Sequence, residues 1–309
     1  MKKEGYWKKY NRKFSDFDVK KILRFLIELA DEIGEPFEKK SARGRSFKLS
    51  PTQYVALYIL MVFFDMSLRD LELWSEALLG EHIDHSTFGK AFERIPEEYL
   101  KKYLKKLRDK IKDKLGDKDF VYLADATGVK LDRIYKDTIS GNKKTKINAH
   151  DKLSILSEYY PDAGVICISA GEWRAGYSYD SPSLVNILSS IDVIQGKYLY
   201  ADAGYDGYSC YYLCFKKGLI PIIKQRKYIA RGIRRKALEI FSKDLYKANR
   251  GIVEGIFGGL ETKRLLFSRF KKEEMRRKHV IGMAICHNLQ TYMTIFYPYN
   301  FLYEYVRWN

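Results

Sequence analysis

The sequence predicts an α/β protein, with helices in its N-terminal part and a mixed sheet with helices in the rest. From Val19 to about Gly116, apolar side chains recur at helical spacing between capping residues and helix-starting prolines. After Asp119 the pattern changes to short β-branched and aromatic runs bounded by turn residues, which is typical of strands. With 309 residues and 46% hydrophobic content, the chain can bury a substantial core.

The N-terminal region divides into an arm and a helical domain. Residues 1–48 predict a basic arm and linker that contain one amphipathic helix. Ser50 and Pro51 predict the start of an apolar helix, because Ser caps a helix and Pro is tolerated in its first turn. Residues 49–117 form the predicted helical domain. Its further helices are expected at Ser67 to Leu79, Ser86 or Thr87 to about Arg94, and Pro96 to near Gly116.

Two of these helices flank a turn from Gly80 to His85. This arrangement is compatible with a helix-turn-helix, in which the second helix would enter the major groove of DNA. An ordinary helical bundle explains the same pattern equally well. The sequence leaves the role of this region open between the two.

The strand-like region predicts three consecutive strands, in FVYLADATGVKL, DKLSILSEYY and GVICISAGEW. A helix from Ser181 to about Ile194, a strand in KYLYADAG, a helix from Tyr208 to Lys217, a strand in LIPIIKQR and a further helix follow. The predicted order is therefore strand-strand-strand-helix-strand-helix-strand-helix.

Three acidic residues occupy the settings that two-metal phosphoryl transfer needs. Asp125 and Asp202 lie at the ends of two predicted strands, and Glu254 lies in a predicted helix. Two Mg²⁺ ions about 4 Å apart stabilise the attacking and leaving oxygens of a phosphodiester, and carboxylates are their preferred ligands. Asp125 would bridge both ions, Asp202 would hold one, and Glu254 the other.

The element order and these acids together predict a ribonuclease H-like α/β core over residues 118–297, with a mixed five-stranded sheet. Residues 298–309 would be a C-terminal tail.

Each acid taken alone also has a structural explanation. Asp202 could shape a turn, and Glu254 could pair with Arg250 one helical turn away, worth only about 0.3–0.5 kcal/mol. Asp125 differs, because apolar residues flank it on both sides and a buried carboxylate is costly unless it has a partner such as a metal.

Glycines interrupt the predicted helix that carries Glu254, at a cost of about 1 kcal/mol each relative to alanine. Gly255, Gly258 and Gly259 would permit close packing on the sheet or close approach of a DNA backbone. Arg250 falls on the same face as Glu254 and could neutralise a phosphate.

The charge balance favours a polyanionic partner. The 56 Lys and Arg against 39 Asp and Glu leave a net charge of +17. Nucleic acid is the first candidate and an acidic membrane surface the second. We expect no membrane span and no secretory signal, and hence a cytoplasmic protein.

A basic run between Lys216 and Lys236 contains no acid, which favours a phosphate-binding surface over an ordinary solvated face. A second basic cluster begins at Lys263 and could continue the same DNA track. The predicted DNA-contacting residues are Arg250, Lys224, Arg226, Lys227, Arg231, Arg234, Arg235, Lys263 and Arg264.

Four cysteines without paired spacing predict buried free thiols, and the five scattered histidines predict no zinc site.

At the three acids, the chain resembles the DDE transposases of prokaryotic insertion sequences, specifically the group with a Tyr-Arg-Glu-Lys motif around the third acid. The resemblance covers about residues 65–295 and includes YLADATGVK, YSYDSPSL, YLYADAGYDG, NRGIVEGIFGGLETKR and HVIGMAICHNLQTY. Glu261 stands where the family usually has Lys, Tyr246 lies four residues before Arg250, and Tyr179 replaces a common His.

The resemblance implies a transposase that binds the terminal inverted repeats of its element. It would cleave DNA with Mg²⁺ or Mn²⁺, as two ions held by Asp125, Asp202 and Glu254, and transfer the freed strand to target DNA. It also implies a homodimer on double-stranded DNA. Two alternatives stay open: a metal-dependent nuclease without strand transfer, and a catalytically silent DNA-binding protein descended from a transposase.

Overall fold

A computed structural model describes residues 18–38, 46–140, 143–176, 178–226, 231–262 and 265–296. Helices form the N-terminal part, as the sequence predicts. They are α1 (Val19–Ile33), α2 (Pro51–Phe63), α3 (Leu68–Leu79), α4 (His85–Arg94) and α5 (Glu97–Leu115).

Capping residues set the starts of these helices. The side chain of Ser50 accepts a hydrogen bond from the backbone of Gln53, whose own side chain accepts one from the backbone of Ser50. Ser67 and Asp70 form the same reciprocal pair at the start of α3. Helix α2 is apolar on all sides and almost entirely buried, so it forms the centre of the helical layer.

The sheet and its helices follow in the predicted order. The elements are β1 (Val121–Ser140), β2 (Lys143–Tyr160), β3 (Val165–Ala175), α6 (Asp180–Ser190), β4 (Tyr198–Ala201), α7 (Tyr208–Lys216), β5 (Ile220–Ile223), α8 (Ile233–Ile240), α9 (Lys243–Arg250), α10 (Glu254–Thr262), β6 (Phe267–Ser268) and α11 (Glu273–Phe296).

The strand order is β3-β2-β1-β4-β5, with β6 also paired to β1. Strands β1, β2 and β3 are antiparallel to their neighbours in the meander, whereas β4 and β5 run parallel to β1. The mixed sheet of the predicted ribonuclease H-like core is confirmed.

Two features of the sheet differ from the prediction of five short strands. A sixth strand, β6, has only two residues, and it pairs with Lys130 and Leu131. Strands β1 and β2 extend as a long hairpin beyond the apolar runs, with an irregularity in register between Lys130 and Tyr135. Strand β6 pairs with residues far away in sequence, and the extended part of the hairpin pairs two largely polar segments, so neither feature leaves an apolar pattern in the sequence.

Apolar side chains cover both faces of the sheet. One face packs against the N-terminal helices, α10 and α11 in a single continuous core. The other face packs against α6, α7 and α8 in a second core. Because the first core joins the helical region to the sheet, residues on both sides of position 117 stabilise one another, and the division into separate domains stays a prediction.

Two expectations concern the whole chain. The four cysteines are buried and free, as predicted. Within the described residues, every helix is too short or too polar to cross a membrane.

A buried ion pair joins α5 to the sheet. Glu158 on β2 is fully buried, and its carboxylate accepts hydrogen bonds from the guanidinium of Arg108 and, at 2.8 Å, from the hydroxyl of Tyr160. A buried carboxylate is tolerated only while such partners remain.

Arg108→Ala is expected to lower the free energy of unfolding by about 3–5 kcal/mol, because it leaves the Glu158 charge buried without its cation. Lys101→Ala on the same helix removes only the exposed pairs with Glu97 and Glu98 and should cost less than about 1 kcal/mol. Urea denaturation of both variants tests this difference. Equal losses in the two variants would contradict the assigned role of Arg108.

Candidate active site

The parallel pairing of β1 with β4 brings two of the predicted acids together. Ala124 on β1 lies opposite Ala201 on β4. The residue that follows each of these alanines in the chain is an acid, so Asp125 on β1 and Asp202 just after β4 lie side by side. The carboxylate of Asp202 also accepts a hydrogen bond from the backbone of Gly204 at 2.7 Å, which shapes the turn after β4.

Asp125 is buried, with 8% of its surface exposed. One carboxylate oxygen accepts a hydrogen bond from the backbone of Ala126 at 2.9 Å, and the other lies 3.1 Å from a guanidinium nitrogen of Arg250. The pKa of Asp125 is raised to about 6, mainly by burial and to a smaller extent by Asp202 and Asp180, against the opposing effects of Arg250 and the Ala126 amide. One guanidinium therefore compensates the buried charge only in part.

Glu254 lies at the margin of this group. It is the first residue of α10, its side chain is exposed, and its carboxylate lies 3.8 Å from the second terminal nitrogen of Arg250. Arg250 thus stands between Asp125 and Glu254. Among the described residues, the oxygens of Asp125, Asp202 and Glu254 do not all lie within 4.8 Å of one another.

Arg250 and Glu254 belong to different helices, although the sequence suggested one. A turn over residues 251–253 separates α9 from α10. The Nη1 atom of Arg250 is buried and makes no hydrogen bond. It therefore keeps an unused donor next to the acids.

Asp180 is a fourth acid that the sequence analysis did not assign to the site. It is the first residue of α6, and it forms an ion pair with Lys152 on β2. A Cβ atom added to Gly204 would lie 2.7 Å from an oxygen of Asp180 and 2.9 Å from one of Asp202. Because Gly204 has no side chain, the carboxylates of Asp180 and Asp202 can both approach the turn after β4. The YSYDSPSL segment carries the available signal as one of the motifs of the family resemblance, but its residues alone predict only a helix start.

A cavity of about 280 Å³ lies beside Lys152. Its lining residues are Gly128, His150, Lys152, Gly176 and Ser178. Lys152 donates a hydrogen bond to the backbone carbonyl of Ser178 at 3.0 Å and pairs with Asp180, so this cavity adjoins the acid group.

Exposed tyrosines lie around the start of α6. Tyr179, which precedes Asp180, is 81% exposed, and Tyr208 at the start of α7 is 68% exposed. The rings of Tyr208 and Tyr212 stack with centroids 6.2 Å apart. Gly207, next to Tyr208, packs against Ser181, which places the start of α7 against that of α6.

The predicted basic residues separate into three groups. Lys224, Arg226, Arg231 and Arg235 are exposed. The guanidinium of Arg226 donates a hydrogen bond to the carbonyl of Ala203 at 3.0 Å, beside the Asp202 turn. Lys227, Lys263 and Arg264 lie outside the described residues.

Arg234 forms the third group, because it is buried rather than displayed to solvent. Its guanidinium donates hydrogen bonds to the carboxylate of Asp206, at 2.8 and 2.7 Å. Burial alone would raise the pKa of Asp206, but the pairing with Arg234 outweighs that effect and holds this pKa below its usual value. Arg234 and Ala237 share the buried face of α8. The sequence does not distinguish Arg234 from the exposed basic residues around it, because its acidic partner, Asp206, lies 28 residues earlier.

The acids fit a divalent cation bound by oxygen ligands. Asp125 is buried with a charge that Arg250 compensates only in part, and Asp202 lies beside it with Asp180 close by. Carboxylates without imidazole or thiolate are the ligands that Mg²⁺ and Mn²⁺ prefer.

Residues 116–289, more than half of the chain, match the family described as a transposase DDE domain. The chain belongs to this family. It is also similar to a chain in a cryo-EM structure of the piggyBac transposase synaptic complex with hairpin DNA, with a TM-score of 0.39 and 9% identity over 93% of this chain and 81% of that chain. A search of curated protein sequences gives no significant match. Family membership confirms the coarser prediction of a DDE transposase, whereas an insertion-sequence origin and the Tyr-Arg-Glu-Lys subgroup stay predictions.

The raised pKa of Asp125 gives this DDE-family chain a defined pH dependence in the absence of metal. Between about pH 4 and pH 6 the folded state keeps a proton that the unfolded state has released, so native stability falls as the pH rises through this window. Asp125→Asn lacks this titration. It should be more stable than the native chain near pH 7 by on the order of 2–3 kcal/mol, with the difference vanishing near pH 4.

Chemical denaturation in a chelator, at both ends of that window, measures this difference. Asp192→Asn, at an exposed position, is the matched control and should follow the native curve. If Asp125→Asn were less stable than the native chain near pH 7, the assigned burial cost would be wrong.

Proposed function

We propose that this protein is a metal-dependent DNA transposase that cleaves the ends of its element and joins the freed 3′-hydroxyl to target DNA. The observation that carries the proposal is the β1–β4 pairing, which sets Asp125 beside Asp202 in a chain of the DDE family. Arg250 and Glu254 approach these acids from α9 and α10.

In this proposal Asp125 and Asp202 would hold the divalent metal, and Glu254 would complete the ligand set. Bound Mg²⁺ or Mn²⁺, as two ions, would stabilise the charge that develops on the attacking and leaving oxygens. Arg250 releases Asp125 and pairs with a phosphate oxygen of the DNA, for which its planar guanidinium is suited. The unused Nη1 donor of Arg250 supports this second role.

The surface around the acids suits a DNA backbone. Lys224 and Arg226 are exposed near the Asp202 turn, Arg231 is exposed just before α8 and Arg235 on it, and the chain carries a net charge of +17. Positions Gly255 and Gly258 on α10 have nothing within 4 Å of an added Cβ atom. Close packing on the sheet therefore does not explain these glycines, and we assign them to close approach of the DNA. Arg234 is left out of this surface because Asp206 engages it.

Exposed tyrosines near the acids would contact unpaired bases. Tyr179, Tyr208 and Tyr212 present aromatic rings to solvent, and rings of this kind stack on bases without regard to sequence. A strand end that has just been cleaved offers such bases. We further propose a homodimer on double-stranded DNA and a cytoplasmic location.

One observation favours the alternative of a silent DNA-binding protein. Glu254 is exposed, and Arg250 stands between it and Asp125. A chain in which metal never displaces Arg250 would bind DNA without cutting it. The nuclease alternative differs only in lacking the joining step.

The test is cleavage of a labelled duplex that carries the inverted repeat flanking the reading frame, with Mg²⁺ or Mn²⁺. Asp125→Ala, Asp202→Ala and Glu254→Ala should each lower the rate at least about a hundredfold, because each removes a ligand worth several kcal/mol in the transition state. Asp192→Ala removes an exposed acid away from the site and should cut at the native rate.

Joining of the cut end to a second duplex separates a transposase from a nuclease. Tight binding without cleavage under either metal, or full activity in Glu254→Ala, would contradict the proposal and favour the silent DNA-binding protein.

Gly258→Leu tests the role assigned to the exposed glycines. Leucine is a good helix former and meets open space at this position, so the free energy of unfolding should rise by up to about 1 kcal/mol. Cleavage should nevertheless fall at least about tenfold, or ~1.4 kcal/mol in the barrier, because the side chain blocks the DNA backbone. Thermal unfolding and the cleavage assay measure both effects.

Asp113→Leu adds the same side chain on the exposed face of α5 and is expected to leave cleavage unchanged. Native-like cleavage by Gly258→Leu would show that DNA does not approach this face of α10.

A further inference from the structure

A cluster of histidine and carboxylate side chains lies at the junction of α3 and α4, on elements that do not contribute to the acid site. Within the described part of the chain, Glu72, Asp84 and His85 form the one group of three or more such residues whose ligand atoms all lie within 4.8 Å of one another. His82 adjoins it. Glu72 comes from α3, and the other three come from the connecting turn and the start of α4.

The distances in this cluster are close to those around a bound metal ion. Nδ1 of His85 lies 2.8 Å from one oxygen of Glu72 and 3.6 Å from an oxygen of Asp84. Nε2 of His82 lies 3.3 Å from the other oxygen of Glu72. Ligands about 2.0–2.1 Å from one tetrahedral ion are about 3.4 Å from each other, so Glu72, Asp84 and His85 need only small shifts to bind one ion, whereas His82, which lies outside this group of three, must turn toward it.

The backbone around the cluster is held in place. Ser75 donates a hydrogen bond to the carbonyl of Glu72 at 2.7 Å and accepts one from the amide of Ile83 at 2.9 Å. Ile83 is fully buried. Asp84 caps α4 through the amide of Ser86 with one oxygen, which leaves its other oxygen facing His85. The ligand atoms are therefore positioned without a metal, which lowers the cost of binding one.

The cluster is also accessible from solvent. The side chains of His82, Asp84 and His85 are 63%, 52% and 41% exposed, whereas that of Glu72 is 20% exposed. Lys48 is the nearby cation, and it is engaged by Glu81 and by the carbonyl of His82. An ion can thus enter from solvent and reach the half-buried carboxylate of Glu72.

We propose that Glu72, His82, Asp84 and His85 bind a divalent transition-metal ion such as Zn²⁺, which joins α3 to α4. Two imidazoles with two carboxylates suit Zn²⁺, whereas Mg²⁺ avoids nitrogen ligands. The site is therefore chemically distinct from the all-carboxylate group at Asp125. It is structural, because the ion would fix the turn between two helices and no reacting group adjoins it.

The expectation of no zinc site missed a spacing signal. His82 and His85 are separated by only two residues, so the turn between α3 and α4 carries both imidazoles. The contribution of Glu72, ten residues before His82, becomes evident only when α3 and α4 pack together.

The test is a Zn²⁺ titration of the full chain against a chromogenic chelator, with excess Mg²⁺ to occupy the carboxylate-only site. The native chain should bind one equivalent of Zn²⁺ and unfold at a higher temperature with it. His85→Ala and the double variant His82→Ala with His85→Ala should weaken binding at least about tenfold. Co²⁺ in place of Zn²⁺ should give the visible absorption of a tetrahedral site in the native chain alone.

Two control variants keep the test decisive. Glu72→Gln retains hydrogen bonding to His85 but loses the anionic ligand, so it should fold and bind Zn²⁺ weakly even if His85→Ala does not fold. Asp125→Asn and His150→Ala should bind Zn²⁺ like the native chain, which separates this site from the transposase proposal. No tight Zn²⁺ binding by the native chain, or binding by Glu72→Gln and the double histidine variant that is as tight as that of the native chain, would overturn the proposal and leave simple histidine–glutamate pairing at the turn.

Discussion

The candidate active site depends on the parallel pairing of β1 with β4. Ala124 and Ala201 lie opposite each other, and each is followed by an acid, so one register places Asp125 and Asp202 side by side. A shift of one residue would turn one acid to the other face of the sheet. The two apolar cores fix this register, because each strand buries alternate side chains on opposite faces. Packing throughout the sheet thereby determines the geometry of two carboxylates.

Electrostatics then explains the environment of Asp125. Burial disfavours its charge, and Arg250 restores only part of the lost solvation, so the pKa stays near 6. Such a carboxylate gains more from a divalent cation than from one guanidinium. Arg250 pairs with Asp125, and in the proposed function it would be free for a phosphate once a metal binds. The exposed Glu254, beside the same guanidinium, would gain its ligand role in that exchange.

The sequence predicted the features that have local causes. Ser50 and Pro51 predict the start of a helix. The apolar runs around Asp125 and Asp202 predict two strands and place an acid at the end of each. Features that depend on packing were missed. The two-residue β6 has no pattern of its own, the carboxylate of Asp180 lies against Gly204 far along the chain, and the partner of the buried Arg234 is Asp206, 28 residues earlier. Such contacts are visible only when distant segments are placed together.

The most direct test of this account is the anomalous X-ray scattering of Mn²⁺ in crystals of the full chain. We expect a Mn²⁺ peak bound by the carboxylates of Asp125 and Asp202, with Arg250 withdrawn from Asp125. A chain that binds Mn²⁺ elsewhere, while Arg250 stays paired with Asp125 at saturating metal, would contradict the assignment of these acids as the metal-binding site.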